Sequence, residues 1–144
     1  MPQEKQAAFY DLSKMKKEKM TSMVTRRMIV GTNEMVGVLY AKKGAVAARH
    51  KHVSEQITMI LKGVEKITVN DHPFIVREGQ VLVIPPNVEH SGEALEDVIE
   101  MNCFSPLRED WLSGDLSYLS EPGNKEKGST STQPRPRPRP AKRG

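Results

Sequence analysis

The chain has four histidines, and three of them are spaced so that they could share one divalent cation. His50 and His52 flank Lys51, Gln56 follows four residues after His52, and His90 comes from a separate stretch beyond the Pro85-Pro86-Asn87 corner. On an extended strand alternate side chains share a face, so His50 and His52 would point the same way, about 6 to 7 Å apart. If the chain stays extended, Gln56 keeps that face and Glu55 takes the other. A third imidazole from a different strand would close the site. These donors do not choose between zinc, nickel, manganese and iron. Any of these ions would act as a Lewis acid on a carbonyl or hydroxyl. The ordinary alternative is that a His-x-His pair is a surface pair, or is simply packed.

Such a site needs strands to converge on it, and the sequence supplies them. The runs Met35–Tyr40, Val46–His52, Ile57–Leu61, Val64–Val69, Phe74–Arg77, Val81–Ile84 and Asp97–Phe104 read as short strands, with the strand-like pattern setting in from Met28. Gly44, Gly63, Gly79 and Gly92 sit at the joints, and Asn70-Asp71 marks a tight reversal. Lys66-Ile67-Thr68-Val69 alternates, whereas Val81-Leu82-Val83-Ile84 is continuously apolar and is expected to be buried on both faces. So many short strands predict an all-β sandwich or barrel over 26–120. Residues 1–25 are expected to form an arm or edge strand. Leu107–Leu112 should make a short helix or turn that folds Trp111 back on the barrel.

Composition limits what the molecule can be. A chain of 144 residues is the size of one domain with one core. The net charge of +4 hints at nucleic acid, but five of the 22 basic residues (Arg135, Arg137, Arg139, Lys142 and Arg143) fall in the last eleven positions. That leaves 17 basic against 18 acidic side chains, so no specific nucleic-acid partner is expected for the domain. Residues 121–144 are rich in Gly, Lys, Ser, Thr and Pro and are expected to be disordered. Their Pro-Arg alternation lacks PxxP spacing and reads as a solvated basic tail. A lone Cys103 and the lack of an apolar signal or span predict a cytoplasmic chain with no membrane partner. The apolar patch at Phe9 and Tyr10 makes a homodimer the expected assembly.

Two blocks of residues carry a family resemblance. Gly44, five residues, His50, Lys51, His52, Gln56, six residues and Gly63 form the first; Gly79, five residues, Pro85, Pro86, Asn87, two residues and His90 form the second. They resemble the two motifs of the cupin superfamily, over about Met35 to Phe104. The resemblance implies a single small jelly-roll β-barrel with one metal ion in its mouth, held by His50, His52, Gln56 and His90. The acidic ligand of many cupins is matched here by Gln56, beside Glu55, and the asparagine that often closes the second motif by Ala94. Three imidazoles and an amide would leave the ion's charge uncompensated, which favours an anionic ligand.

The ending Phe104-Ser105-Pro106-Leu107-Arg108-Glu109-Asp110-Trp111-Leu112 is similar to that of KdgF-type pectin-degradation cupins, which open 4,5-unsaturated uronates to linear keto-uronates. That resemblance implies that Phe104 lines the pocket and Arg108 meets the substrate carboxylate, as a planar fork can. The alternative for Arg108 is a pair with Glu109 or Asp110, or packing on Trp111. Relatives of this type carry an aspartate where this chain has Asn102, and an amide is a poor general acid or base. Glu100 shares its strand parity and could take over if it faces the pocket rather than solvent. Tyr40 and Tyr10 are further candidate proton donors. The expected function is a metal-dependent, isomerase- or lyase-like enzyme acting on a small anionic sugar acid. A metal dioxygenase and a non-catalytic small-molecule-binding cupin are the alternatives.

Overall fold

The computed structural model describes residues 6–119, and within them the β-branched runs become ten strands and one short α-helix. The strands are β1 (Glu18–Lys19), β2 (Val24–Val30), β3 (Met35–Ala41), β4 (Val46–His50), β5 (Glu55–Lys62), β6 (Val64–Val69), β7 (His72–Arg77), β8 (Val81–Ile84), β9 (His90–Ala94) and β10 (Val98–Ser105). Helix α1 (Glu109–Ser113) follows. The strands pair antiparallel into a six-stranded sheet ordered β1-β2-β3-β10-β5-β8 and a four-stranded sheet ordered β4-β9-β6-β7. From β3 to β6 and from β7 to β10 the chain alternates between the layers, and the two sheets close on one core as a jelly roll. The all-β architecture read from the sequence is the one observed. The basic tail lies outside the described residues.

Inward-facing residues of both layers meet in the core, among them Met35, Leu39, Ile60, Ile67, Val76 and Phe104. Trp111 on α1 caps one end of it, 2 % exposed. It reaches that depth because Gly37 on β3 has no side chain: a Cβ there would collide with the indole. Two turns depend on left-handed backbone. Asn70 and Asp71 (φ 47° and 64°) make the tight β6–β7 reversal, as their side chains permit. At Gly63 (φ 87°), a side chain would also strike the Asp97 carbonyl.

The structure corrects three strand expectations. The continuous strand pattern begins with β2 at Val24 rather than at Met28, because Arg26 and Arg27 mask a strand that buries Arg26. The Arg26 guanidinium donates through Nη2 to Glu18 of β1 at 2.9 Å and to the Trp111 carbonyl at 3.3 Å. Val81–Ile84 is not buried on both faces: Val81 and Val83 are 49 % and 53 % exposed. The reason is position, since β8 is an edge strand whose outer face has no layer over it. The run expected over Val46–His52 ends at His50, because the chain must leave the four-stranded sheet there to enter β5 in the other one.

Candidate metal centre

The sheet change at 51–54 assembles the site. His50 ends β4 and pairs with His90 at the start of β9, so two imidazoles are cross-strand neighbours in the four-stranded sheet. His52 lies in the crossing loop, whose backbone is pinned where Asn87 N–H donates to the His52 carbonyl at 2.8 Å. Gln56 then comes from β5, on the opposite sheet. The chain therefore does not stay extended from His50 to Gln56, yet the loop delivers the same side chains to one point. Ring centroids lie 5.7 Å apart for His50 and His52, 4.3 Å for His50 and His90, and 4.9 Å for His52 and His90. One ligand nitrogen from each ring lies within 4.8 Å of the others. These three histidines could hold a metal ion.

The hydrogen bonds fix which nitrogens face the shared point. Nδ1 of His50 lies 2.6 Å from the Ala48 carbonyl, Nδ1 of His52 2.8 Å from that of Ser54, and Nδ1 of His90 2.8 Å from that of Val88. A carbonyl only accepts, so each Nδ1 carries the proton and donates it, and each Nε2 keeps a lone pair. His90 Nε2 is buried with no partner among the described residues, an orphan acceptor that a cation would satisfy. Burial also keeps the rings neutral. It lowers His50 to about 3 and His52 to about 4, helped by the positive charge of Arg108, and it lowers His90 as well. Neutral imidazole is the form that binds metal.

Beneath the rings runs a polar chain. Gln56 Oε1 approaches His52 Nε2 at 3.2 Å, while Gln56 Nε2 donates to Thr58 Oγ1 at 2.8 Å and to Asn102 Oδ1 at 3.2 Å. Thr58 donates to Asn102 Oδ1 at 2.7 Å, and Asn102 Nδ2 donates to Glu100 Oε1 at 3.1 Å. Asn102 is thus fully engaged, its oxygen accepting twice and its nitrogen passing the chain on to Glu100. Glu100 faces this interior and lines the cavity with His50, Gln56, His90 and Phe104.

Arg108 is 3 % exposed. Its Nε and Nη2 bind both oxygens of Asp110, at 3.0 and 2.6 Å, and its plane lies about 5 Å from the Phe104, Trp111 and Tyr118 rings. The pairing with Asp110 and the packing on Trp111 are thus observed, and Arg108 also lines the cavity. Phe104 meets His52 edge-on at 5.8 Å. Tyr40 and Tyr10 do not reach the site: Tyr40 accepts from Arg27 at 2.7 Å and stands under Lys17, and Tyr10 is 52 % exposed. The cavity encloses about 60 Å³, room for a few waters or the reacting end of a small ligand.

Two cavity residues escaped the sequence reading. Tyr118 stacks on His50 at 4.5 Å and accepts from Trp111 Nε1 at 2.8 Å, in a terminal segment tied to β4 where Ala48 N–H donates to the Tyr118 carbonyl. Glu65 lies on β6 and reaches into the interior. Its signal was present: it shares strand parity with Ile67 and Val69, and a carboxyl on a core-facing parity calls for a reason. No helix among the described residues is long and apolar enough to cross a membrane.

Comparison with known proteins agrees with this geometry. Residues 37–105 match the family model described as a cupin domain. Among solved structures, KdgF from a Halomonas species is 22 % identical, with a TM-score of 0.70 over 74 % of this chain and 99 % of its own. An RmlC-like cupin from Shewanella frigidimarina is 23 % identical, with a TM-score of 0.69 over 74 % and 96 %. Oxalate decarboxylase from Bacillus subtilis, studied for its Mn(II) centres, is 20 % identical, with a TM-score of 0.61 over 72 % of this chain and 33 % of its own. A search of curated proteins found no match. With two sheets closed around three converging histidines, residues 37–105 form a cupin domain, and its fold resembles that of KdgF.

Proposed function

We propose that this cupin is a metal-dependent enzyme that opens or isomerises a small anionic sugar acid, with an unsaturated uronate as the substrate class. The observation that carries the reading is the convergence of three imidazole lone pairs and the Gln56 oxygen on a cavity that a buried arginine also lines. His50, His52, His90 and Gln56 would hold one divalent ion, zinc, nickel, manganese or iron, which when bound polarises a substrate oxygen.

The chain's own residues set the rest. None of the four donors brings a negative charge, so the site selects an anion. Arg108, set among three rings and paired with Asp110, would offer its remaining N–H groups to a carboxylate. Asn102 fixes the Gln56 carbonyl towards His52 through the hydrogen bond it accepts. Phe104, Trp111, Ile84 and Leu39 exclude water around the reacting end. The small cavity volume favours one terminal sugar over an internal unit of a chain. As an assembly we favour a homodimer, supported by Phe9 at 97 % exposure and the outward Val81 and Val83; sedimentation velocity reads it directly.

The test is anaerobic incubation of the metal-loaded chain with an unsaturated uronate, followed by loss of its conjugated absorbance. Loss that depends on the ion supports the reading. Oxygen uptake with a phenol, thiol or diketone instead would replace it with a dioxygenase, and tight binding without turnover would replace it with a small-molecule-binding role.

A further inference from the structure

Resting on that reading of the site, we propose that Glu65 and Glu100 form a carboxyl pair sharing one proton, and that this pair is the proton donor and acceptor of the cavity. Glu65 comes from β6 in the four-stranded sheet and Glu100 from β10 in the six-stranded sheet, so the two carboxyls meet across the sandwich. Both carboxyls line the same small cavity, and Glu100 is the carboxyl neighbour that acts on Glu65 there, near enough for the two to share a hydrogen bond. A bond between two carboxyl groups needs a proton between them, since two carboxylates present only acceptors.

The surroundings favour one shared proton. Glu65 Oε2 is buried and has no donor among the described residues. Glu100 receives one neutral N–H, from Asn102. The other titratable and charged groups lining the cavity are His50 and His90, both kept neutral by burial, Tyr118, pushed above its usual range by burial, and Arg108, already paired with Asp110. Burial and the neighbouring Glu100 hold Glu65 well above the carboxylate range. Gly92 on β9 makes the room: a Cβ there would stand 2.8 Å from Glu65 Oε1. Asn102 acquires a role from this arrangement. A third carboxylate in its place would face Glu100 directly, whereas the amide donates to Glu100 and leaves the proton with the pair.

Such a pair suits the proposed reaction, which moves one proton with no redox change. The anomeric hydroxyl loses its proton as its oxygen forms the aldehyde carbonyl, and the bond from that carbon to the ring oxygen breaks to leave an enolate. The enolate oxygen becomes a ketone as the adjacent alkene carbon takes a proton. The ionised member of the pair accepts the hydroxyl proton, the protonated member supplies the carbon, and the pair ends with one proton as it began.

Carbon-13 NMR of the full chain with labelled glutamate, zinc-loaded and metal-free, tests the pair without any turnover. One side-chain carboxyl should remain protonated at pH 7 and become fully ionised in Glu65→Gln. Finding every glutamate ionised at pH 7 in the wild type overturns the inference. In the uronate assay, Glu65→Gln and Glu100→Gln should each lose about 100-fold or more in kcat with KM little changed, and full kcat in both variants overturns it as well. If the wild type leaves uronates unchanged, the proposed reaction fails, and with it the catalytic role. The titration then still decides separately whether the shared proton exists.

Discussion

His52 Nε2 and Gln56 Oε1 face each other across 3.2 Å, and with the His52 proton committed to Ser54 both present lone pairs. Gln56 cannot turn its amide nitrogen there without giving up its bonds to Thr58 and Asn102. Two acceptors held face to face by separate anchors are reconciled by a cation.

His90→Ala should therefore cost metal. Even outer partners of metal ligands contribute about 10 to 100-fold in affinity, so loss of a ligand should exceed about 100-fold. Elemental analysis of wild type and variant, dialysed side by side against the same free-metal buffer, reads it. Equal metal per chain would mean that His90 is no ligand.

The metal-free chain should lose stability as acidity rises. His50 and His52 stay neutral down to about 3 and 4 when folded, but take up protons near 6.5 once unfolded. Below 6.5 the unfolded chain thus binds more protons, so these groups erode stability from about pH 6.5 towards pH 3. Thermal melts of the apoprotein at stepped pH should show the midpoint falling across this window, and His50→Gln should flatten the slope. A midpoint that stays constant between pH 7 and pH 4 contradicts the prediction.

Arg108→Lys separates charge from shape. Lysine keeps the positive charge but cannot bind both oxygens of Asp110 with a planar fork or stack a guanidinium among the rings. We expect KM for an anionic substrate to rise roughly 10- to 100-fold with a smaller change in kcat, the pattern of lost ground-state binding. An unchanged KM would leave Arg108 with only its structural role.

Gly37→Ala tests the seat of Trp111. The added methyl would overlap the indole, and overpacking of this kind costs about 1–3 kcal/mol. Urea titration should show a lowered midpoint. Tryptophan fluorescence should also report a wetter indole, because the same ring bonds to Tyr118 beside His50.

Much of this site was legible in the chain because ligand spacing and turn residues are local. The Asn70-Asp71 reversal, the joint glycines and the two histidine blocks each depend on a few neighbouring positions. What stayed hidden depends on the layer facing each strand. Val81 and Val83 read as core, and only sheet order shows that nothing covers them. Glu100 could have faced either way until β10 was placed between β3 and β5. Glu65 gained its meaning from a carboxyl 35 positions away, and Arg26 from a two-residue strand too short to recognise by pattern.

The donors of the candidate centre do not belong to one layer. His50 and His90 hang from the four-stranded sheet, Gln56 from the six-stranded one, and His52 from the thread that joins them. An ion seated there would rivet the two halves of the sandwich together, so occupancy and mechanical cohesion become a single variable. A chelator would then do more than silence chemistry: it would remove a tie between the two sheets.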